Sequence, residues 1–224
     1  MTGRSQDERS EPAEMYLETV YRLEGTADGA RTSTVAKSLG VSLGAVTNTL
    51  ANLEKQSLVR RKAYRGVELT PKGKAVALKV LRKHRLAEQL LTRIVGMKWT
   101  EVHEAACKLE HAMTDDLTDA VEKLLGNPNT CPHGNPIPDE SGHLHETKSE
   151  TLSSFMPGET AVLVKITEER SDMLRYLASL GLMPGTMIEV EEKAPFEGPM
   201  IIKVMGATYA LGRNVASVVE ARRA

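Results

Sequence analysis

The sequence predicts a mainly α-helical chain with one β-hairpin, followed by a small β-barrel. Up to about residue 125, apolar residues recur at helical spacing, and one pair of short β-type runs interrupts them. From about Gly158 the apolar period changes to two, which is the spacing of strands with one buried face. A chain of 224 residues is long enough for one to three domains, and we expect three: 1–75, 76–140 and 157–224, with a linker over 141–156.

The first predicted helix runs from Glu14 to Glu24. Its apolar side chains fall on one face, and Met15 lies outside that stripe. Gly25 is a typical helix terminator. The members of the stripe are Tyr16, Leu17, Val20, Tyr21 and Leu23.

Two helices and a hairpin come next. The helices cover Thr32–Leu39, with Thr32 or Ser33 as the cap, and Ser42–Lys55, with Ser42 as the cap and Gly40-Val41 as the turn between them. Helix, short glycine turn, helix is the helix-turn-helix pattern. Runs 58–62 and 67–70 around a Gly66 turn predict a wing. The expected first domain is therefore a winged helix-turn-helix.

Charge is distributed unevenly along the chain. Residues 58–85 carry ten Lys/Arg against one acid, a net of +9, whereas residues 100–125 carry two lysines against seven acids, a net of −5, in a chain of net charge −1. A basic block directly after a helix-turn-helix favours duplex DNA as the partner. The alternative is a solvated basic face beside an ordinary helix bundle.

The second helix of such a pair enters the major groove, and wing cations meet phosphates. Small residues there permit close approach, and an Asn side chain can read a base edge. The candidate base-reading residues are Ser42, Gly44, Ala45, Thr47 and Asn48, and the candidate phosphate contacts are Arg60, Arg61, Lys62 and Arg65.

Three further helices are predicted: residues 71–95, residues 100–113 with Thr100 as the cap, and residues 114–125. Side chains that commonly bind metals concentrate on the first two of them. His84 and Glu88 are four residues apart, and His103, Cys107, Glu110 and His111 share one helix face. We expect one cluster of His84, Glu88 and His103 and a second of Cys107, Glu110 and His111. Mixed N, O and S ligands suit first-row divalent ions.

The alternative is that these residues bind no metal. The His and Glu side chains would then face solvent, and Cys107 would be a small residue of the core. His133, His143 and His145 lie in a segment rich in Pro, Gly, Asn and Ser, over residues 126–157, that we interpret as a linker. All three are therefore expected to face solvent.

The C-terminal third predicts short strands around one helix. Turn residues separate the runs, which is typical of a half-open, SH3-like small barrel. The expected strands are Ala161–Ile166, Met187–Glu192, Met200–Val204, Ala207–Leu211 and Val215–Glu220, and the expected helix is Ser171–Leu180.

No targeting or membrane segment is evident in the sequence. The N-terminus is polar, no apolar run approaches about 18 residues, and two cysteines do not make a disulfide framework. We expect a cytoplasmic protein without a membrane partner.

Five stretches resemble the diphtheria toxin repressor and iron-dependent regulator family, and they run collinearly over roughly residues 10–140. They are Glu14-Met15-Tyr16-Leu17-Glu18-Thr19, Arg82-Lys83-His84-Arg85-Leu86-Ala87-Glu88, Val102-His103-Glu104-Ala105-Ala106-Cys107, Glu110-His111 and Gly134-Asn135-Pro136-Ile137-Pro138. The resemblance implies a winged-helix domain, a helical metal-binding and dimerisation domain, and an SH3-like third domain.

The resemblance also implies a function and two metal sites per chain. The primary site would contain Met15, Cys107, Glu110 and His111, partly through the Cys107 carbonyl, and the ancillary site would contain His84, Glu88 and His103. The implied protein is a homodimeric repressor, activated by Fe2+, that binds palindromic operator DNA and controls iron uptake and storage genes. Co2+, Ni2+, Zn2+ and Mn2+ are expected to replace iron in vitro.

Two departures concern the ancillary site. The family's third-domain Glu and Gln have no aligned counterparts around residues 168–173, where Glu169 or Asp172 could substitute. A nearby anion is implied to contact Arg85 and Asn135, and the position of the family's Ser is Cys131. The third domain itself resembles the small ferrous-iron transport accessory protein through Leu180-Gly181-Leu182-Met183-Pro184-Gly185, Ala194-Pro195-Phe196-Glu197-Gly198-Pro199 and Ala210-Leu211-Gly212-Arg213.

Three other functions remain open at the level of the sequence. Manganese-responsive relatives carry carboxylates where this chain has Met15 and Cys107, so the two sulfur atoms favour iron. A metal-independent winged-helix regulator with a structural metal site is the second alternative. The third is a zincin-like enzyme, because His103-Glu104-Ala105-Ala106-Cys107 is superficially similar to its metal-binding helix, but Cys replaces the last ligand. We therefore expect a regulator rather than an enzyme.

Overall fold

The structure is a computed structural model that describes residues 11–26, 28–63 and 66–224. The chain divides into two compact units. One contains residues 1–83 with 138–143, and the other contains residues 84–137 with 144–224. The helices that follow residue 84 and the C-terminal barrel therefore belong to the same unit.

The first unit is built from helices α1 (Glu11–Glu24), α2 (Thr32–Leu39) and α3 (Leu43–Lys55) and an antiparallel hairpin. Its strands are β1 (Val59–Lys62) and β2 (Gly66–Leu69), and α4 (Pro71–Leu90) begins in this unit. The core contains the predicted apolar faces of α1 and α3, including Leu17, Val20, Val46, Leu50 and Leu53. The winged helix-turn-helix prediction is confirmed.

Local sequence explains the turns of this unit. Gly40 takes a left-handed conformation at the end of α2, and the Ser42 hydroxyl caps α3 by accepting a bond from the Ala45 amide at 3.2 Å. The predicted Thr32 or Ser33 cap of α2 is wrong, because Arg31 holds that position without a side-chain bond. Gly66 has φ +85°, and a Cβ there would lie 2.1 Å from the Ala30 carbonyl oxygen. Only glycine therefore fits this start of β2.

The helical part of the second unit begins with the end of α4. A π-helical turn (Leu91–Val95) follows, then α5 (Val102–Leu109), a 3₁₀ turn (Glu110–Ala112) and α6 (Asp115–Leu124). The sequence predicted continuous α-helix through Val95 and Met113, so both helix ends differ from the prediction. Its core is small and contains Leu86, Ala87, Ala106, Met113 and Val121.

The barrel is a six-stranded antiparallel sheet in the order β3-β8-β4-β5-β6-β7. Its strands are β3 (Glu150–Thr151), β4 (Thr160–Ile166), β5 (Met187–Lys193), β6 (Met200–Val204), β7 (Ala207–Leu211) and β8 (Val219–Arg223), with α7 (Ser171–Ser179) between β4 and β5. The SH3-like prediction is confirmed.

Two boundaries of the barrel differ from the sequence prediction. Leu152 and Phe155 lie in the segment interpreted as linker, yet both are fully buried in the barrel core. The expected strand over residues 215–220 begins only at Val219, because Gly212 starts a helical turn, α8 (Arg213–Ala216), in which the Ala216 amide bonds to the Gly212 carbonyl at 2.9 Å. Among the described residues, no helix has both the length and the apolarity that crossing a membrane requires.

Candidate metal centre

Five segments of the second unit bring metal-ligand side chains into one buried region. His84 and Glu88 lie one turn apart on α4, and both are completely buried. α5 contributes His103 and Cys107, and the 3₁₀ turn after it contributes Glu110. Residues 131–133 and Glu169, which follows β4, complete the set. Side chains that are distant in sequence thus share one buried region.

His84 lies at the centre of the first part of this region. Its Nδ1 is 2.5 Å from Glu110 Oε2, and its Nε2 is 3.2 Å from both Glu88 Oε1 and His103 Nδ1. Cys107 Sγ lies 3.8 Å from His103 Nε2 and 4.0 Å from His84 Nδ1. The two clusters expected from the sequence are therefore joined through His84 in this structure.

A second group of ligands surrounds Glu88 on its other side. His133 Nδ1 is 3.3 Å from Glu88 Oε1, 3.7 Å from Glu169 Oε1 and 3.9 Å from Cys131 Sγ. Glu169 Oε2 also approaches His103 Nδ1 at 3.3 Å. One ligand atom from each of Glu88, Cys131, His133 and Glu169 lies within 4.8 Å of the others, and all four residues are buried. This group of donor atoms could hold a metal ion.

The expectation that His133 faces solvent is wrong, since its side chain is fully buried. A composition rich in Pro and Gly led to the linker interpretation of this segment. The pair Cys131 and His133, two residues apart, was a usable signal, because both types bind transition metals. His143 and His145 are exposed, as expected.

Backbone contacts with β4 hold His133 in place. Gly134 has φ +85°, and a Cβ there would lie 2.0 Å from the Val164 carbonyl oxygen, so a larger residue would push the segment away. The Ile166 amide donates to the His133 carbonyl at 2.9 Å. His133 Nε2 lies 2.8 Å from the Trp99 carbonyl, to which it can only donate. That bond leaves Nδ1 directed at Glu88 and Cys131.

Neighbouring charges outweigh burial for the histidines. Burial alone would lower the pKa of His84, but the Glu88 carboxylate and bonds with Cys107 and Glu110 raise it well above the usual value. Burial opposes the shift of His103 as well, yet Cys107, Glu169 and Glu88 raise its pKa to about 11. In the metal-free chain these imidazoles therefore hold protons that offset the buried carboxylates.

The pKa values of Glu88, Cys107 and Cys131 are likewise set by burial on one side and neighbouring charges on the other. Burial and Glu169 would raise the pKa of Glu88, but His84, His103 and His133 hold it well below its usual range. Burial would raise the pKa of the Cys107 thiol, whereas His103 and His84 lower it. For Cys131, burial and the Glu88 charge raise the pKa. Of the two thiols, Cys107 therefore loses its proton more readily.

The residues present fit a divalent cation. Glu88 Oε2 is buried and has no hydrogen-bond partner among the described residues, which is costly unless another group satisfies it. Imidazole, carboxylate and thiol groups of neighbouring residues surround the Glu88 carboxylate. This donor set matches borderline first-row ions better than Ca2+ or Mg2+, which prefer oxygen alone.

The remaining predicted ligands lie in different settings. Met15 lies on α1 of the first unit with 39% of its surface exposed. His111 Nε2 is 3.3 Å from Glu110 Oε1. Asp172 does not join the cluster: it is exposed in the first turn of α7, and its Oδ1 accepts from the Met173 amide at 2.9 Å. Of the two third-domain candidates, the structure places only Glu169 at the cluster.

The residues expected to bind an anion contact protein acceptors instead. The Asn135 amide donates to Glu169 Oε1 and to the Ile166 carbonyl, both at 2.9 Å. Arg85 donates to the Pro136 carbonyl. Asn135 therefore orients Glu169 towards the cluster.

The candidate DNA-contacting side chains lie on the surface of the first unit. Ser42, Gly44, Ala45, Thr47 and Asn48 are all exposed on α3 and its cap. The Ser42 hydroxyl is engaged as the cap, and Thr47 Oγ1 donates to the Leu43 carbonyl at 2.8 Å. Asn48 is then the residue of this set best suited to paired bonds with a base edge.

The wing cations pair with acids of their own unit. Arg60 and Lys62 each lie 2.5 Å from a Glu68 oxygen, and Arg61 lies 3.2 Å from Glu54. Lys62 and Arg60 lower the pKa of Glu68 although burial opposes them. All three cations are exposed, so phosphate oxygens can compete for them. Arg65 lies outside the described residues.

Three family models match the chain almost end to end. Residues 9–67 match "Iron dependent repressor, N-terminal DNA binding domain", residues 70–139 match "Iron dependent repressor, metal binding and dimerisation domain", and residues 150–223 match the FeoA domain. These matches confirm the resemblance inferred from the sequence.

Whole-chain relatives agree. The chain is 35% identical over 205 residues to the iron-dependent repressor IdeR of Mycobacterium leprae (strain TN), covering 86% of this chain and 88% of the relative. It is 40% identical over 211 residues to the diphtheria toxin repressor of Corynebacterium jeikeium (strain K411), covering 92% and 83%. A solved manganese-dependent transcriptional repressor in complex with manganese superposes with a TM-score of 0.87 at 31% identity, covering 95% of this chain and all of that one. The chain belongs to the iron-dependent repressor family, together with the diphtheria toxin repressors.

Proposed function

We propose that this chain is a transcriptional repressor activated by Fe2+, which binds palindromic operator DNA as a homodimer and controls iron uptake and storage genes. The observation that carries the proposal is the buried ligand cluster around His84 and Glu88, in a chain whose other unit carries a winged helix-turn-helix. A buried charged cluster is expensive to keep without a bound ion. This combination favours a regulatory function over a catalytic one.

The cluster supports a role for Glu88, His103, Cys131, His133 and Glu169 as one ligand set, and for Cys107, Glu110 and His111 as another. When bound, ferrous ions would accept lone pairs from these atoms and offset the buried carboxylate charge. His84 and His103 would then release the protons that they hold in the free chain. His84 borders both sets and therefore couples them.

The thiol groups support iron over manganese. Cys107 and Cys131 are soft donors, and the approach of His103 and His84 favours the Cys107 thiolate. Solved relatives include manganese-dependent repressors, so manganese is the second candidate for this chain. Met15 is a further sulfur ligand on the resemblance alone.

An exposed apolar surface on the second unit supports dimerisation. Leu117 and Leu124 on α6 are 46% and 64% exposed, and Ile94 and Val95 in the π turn are 58% and 62% exposed. Leu117 and Leu124 lie seven residues apart and share one face of α6, and large apolar side chains exposed on one face are typical of protein–protein contacts. A dimer places two recognition helices on the two halves of a palindrome.

The test is metal-dependent binding to a duplex selected from a random library. Binding is measured under anaerobic conditions with Fe(II), Mn(II), Co(II) and Zn(II), and then after chelation. We expect Fe(II) to raise affinity by at least about tenfold, or about 1.4 kcal/mol of coupling. Cys107→Ala, His111→Ala and Met15→Ala should each lose that gain.

His143→Ala is the matched control, because His143 is exposed and lies outside the cluster. Operator binding that survives chelation would favour the metal-independent regulator. Metal dependence that is unchanged in His111→Ala would refute the primary ligand set. A larger response to Mn(II) than to Fe(II) would favour the manganese alternative.

A further inference from the structure

The first residue of α3 has a large apolar side chain that the first unit leaves in solvent. Leu43 follows the cap residue Ser42 directly and is 57% exposed, whereas every other Leu and Val of α3 is buried. A leucine at the start of a helix neither caps it nor interacts favourably with the helix dipole, because these effects need polar or acidic groups. Neither burial nor capping therefore accounts for Leu43.

Thr47 presents a second apolar group one helical turn after Leu43. Residues four apart lie on the same flank of a helix, and both side chains are exposed. Thr47 Oγ1 donates to the Leu43 carbonyl at 2.8 Å, so the only hydrogen-bond donor of the Thr47 side chain is used within the helix. Its methyl group remains for contact with a partner. We call this exposed apolar surface the Leu43–Thr47 strip.

The strip borders the part of α3 that faces bases in a helix-turn-helix. At about 100° per residue, Asn48 follows the strip on one side, and the buried Val46 marks the core on the other side. The exposed neighbours Gly44 and Ala45 are small, so the side chains of α3 leave room for base edges near the strip. The N-terminal residues of a recognition helix are those that approach base edges. An apolar surface thus lies next to the proposed hydrogen-bonding side chain.

The charge of the unit that carries the strip favours a polyanion as the partner. Residues 28–75 contain nine Lys/Arg against three acids, a net of +6. Each of these acids is paired with an arginine, namely Asp28 with Arg31 at 3.9 Å, Glu54 with Arg61 at 3.2 Å and Glu68 with Arg60 at 2.5 Å. The first turn of α3 contains no acid, so the positive end of its dipole is not neutralised. A phosphate backbone matches this charge, whereas an apolar protein surface does not.

We infer that Leu43, together with the Thr47 methyl group, contacts the C5-methyl group of a thymine in the major groove of the operator. Thymine alone among the four bases of DNA carries this methyl group, and apolar side chains recognise it by removing it from water. Burial of a group of this size raises affinity about fourfold at each half-site. The inference rests on the proposed function and deepens it, because it assigns specificity to a side chain that cannot form hydrogen bonds.

The test replaces each thymine of an operator, selected from a random library, by deoxyuridine at matching positions of both half-sites. Deoxyuridine pairs with adenine as thymine does and lacks only the methyl group. Affinity of the full chain is measured by fluorescence anisotropy, under anaerobic conditions and with the divalent ion that gives the tightest binding. Wild type should lose affinity at least about fourfold at one thymine position. Leu43→Ala should bind the unmodified operator more weakly by a similar factor, and deoxyuridine at that position should have no further effect.

Two further variants serve as controls. Leu43→Met keeps an apolar side chain and should keep the sensitivity to deoxyuridine. Met156→Ala removes an apolar side chain of similar exposure, 58%, from the other unit, and should change neither the affinity nor the sensitivity. Circular dichroism checks the fold of each variant, and Leu43→Ala should fold as wild type does because Leu43 is exposed.

Three results would overturn the inference and leave the proposed function intact. The first is a selected operator in which no thymine position is sensitive to deoxyuridine. The second is a sensitivity that Leu43→Ala leaves unchanged. The third is a Leu43→Ala variant whose only defect is a lower mass in sedimentation velocity, which would assign Leu43 to a protein contact. A chain that selects no duplex with any ion would instead contradict the proposed function, and the inference with it.

Discussion

Glu88 shows how one residue can organise a buried site. It lies one helical turn from His84, and its Oε1 is also 3.4 Å from His103 and 3.3 Å from His133. Three imidazoles around one carboxylate stabilise the charged forms of all four groups. Glu88 Oε2 is buried and has no hydrogen-bond partner among the described residues, so this oxygen keeps its lone pairs for an ion. The chemistry of the site therefore depends on the charge of Glu88 more than on its shape.

Glu88→Gln tests this dependence. The amide keeps the size of the side chain but removes its charge, so affinity for Co(II) or Mn(II) should fall at least about tenfold. Isothermal titration of the full chain measures it, and circular dichroism reports whether the fold persists. Asp172→Asn is the control, because Asp172 is an acid of the same unit that lies outside the cluster. Equal loss in both variants would contradict a specific role for Glu88.

At the scale of elements, we propose separate tasks in DNA recognition for α3 and for the hairpin β1–β2. Asn48 is exposed on α3, where paired hydrogen bonds can distinguish bases. Arg60 is exposed on β1 and bonded to Glu68, and a phosphate contact there carries no sequence information. We therefore expect α3 to supply specificity and the hairpin to supply affinity.

Two substitutions separate these tasks. Asn48→Ala should relax sequence preference by about 1–3 kcal/mol, whereas Arg60→Ala should weaken binding to all duplexes alike and reduce its salt dependence. Footprinting and titration on one selected operator and on random DNA measure both effects. If Asn48→Ala lost equal affinity for both DNAs, Asn48 would not be a base-reading residue.

The segment over residues 127–137 is an element that sequence reasoning misjudged. Pro, Gly and Asn are frequent in it, which predicted an exposed linker. Gly134, however, packs against the β4 backbone, and Ile166 bonds to the His133 carbonyl. These contacts bury Cys131 and His133 beside Glu88. Composition cannot reveal such burial, because it depends on a strand about 30 residues later in the chain.

For the molecule as a whole, the exposed apolar residues of the second unit lead to a prediction about assembly. Leu117 and Leu124 lie on α6 seven residues apart, so they share a face. The double substitution Leu117→Lys and Leu124→Lys should place charges within the proposed dimer contact and shift the chain towards the monomer. Size-exclusion chromatography with light scattering measures the mass, and weaker operator binding should accompany the change.

Tyr176→Lys provides the control for this prediction, because Tyr176 is similarly exposed but lies on α7. A double variant that keeps the wild-type mass would place the dimer contact elsewhere. Monomers that retain full operator affinity would contradict the need for a dimer.

The sequence by itself determined the order of the longer helices and strands, the winged helix-turn-helix and the barrel, and it pointed to most of the side chains that the structure brings together around Glu88. It could do so because helical and strand periods, caps and spacings of four residues are local properties of the chain. Only the tertiary structure decided that His84 joins the two expected clusters, that Glu169 rather than Asp172 reaches them, and that Cys131 and His133 belong beside Glu88. Those relations depend on packing between α4, α5, β4 and the 127–137 segment, which are far apart in sequence, and local patterns carry no information about which distant surfaces meet.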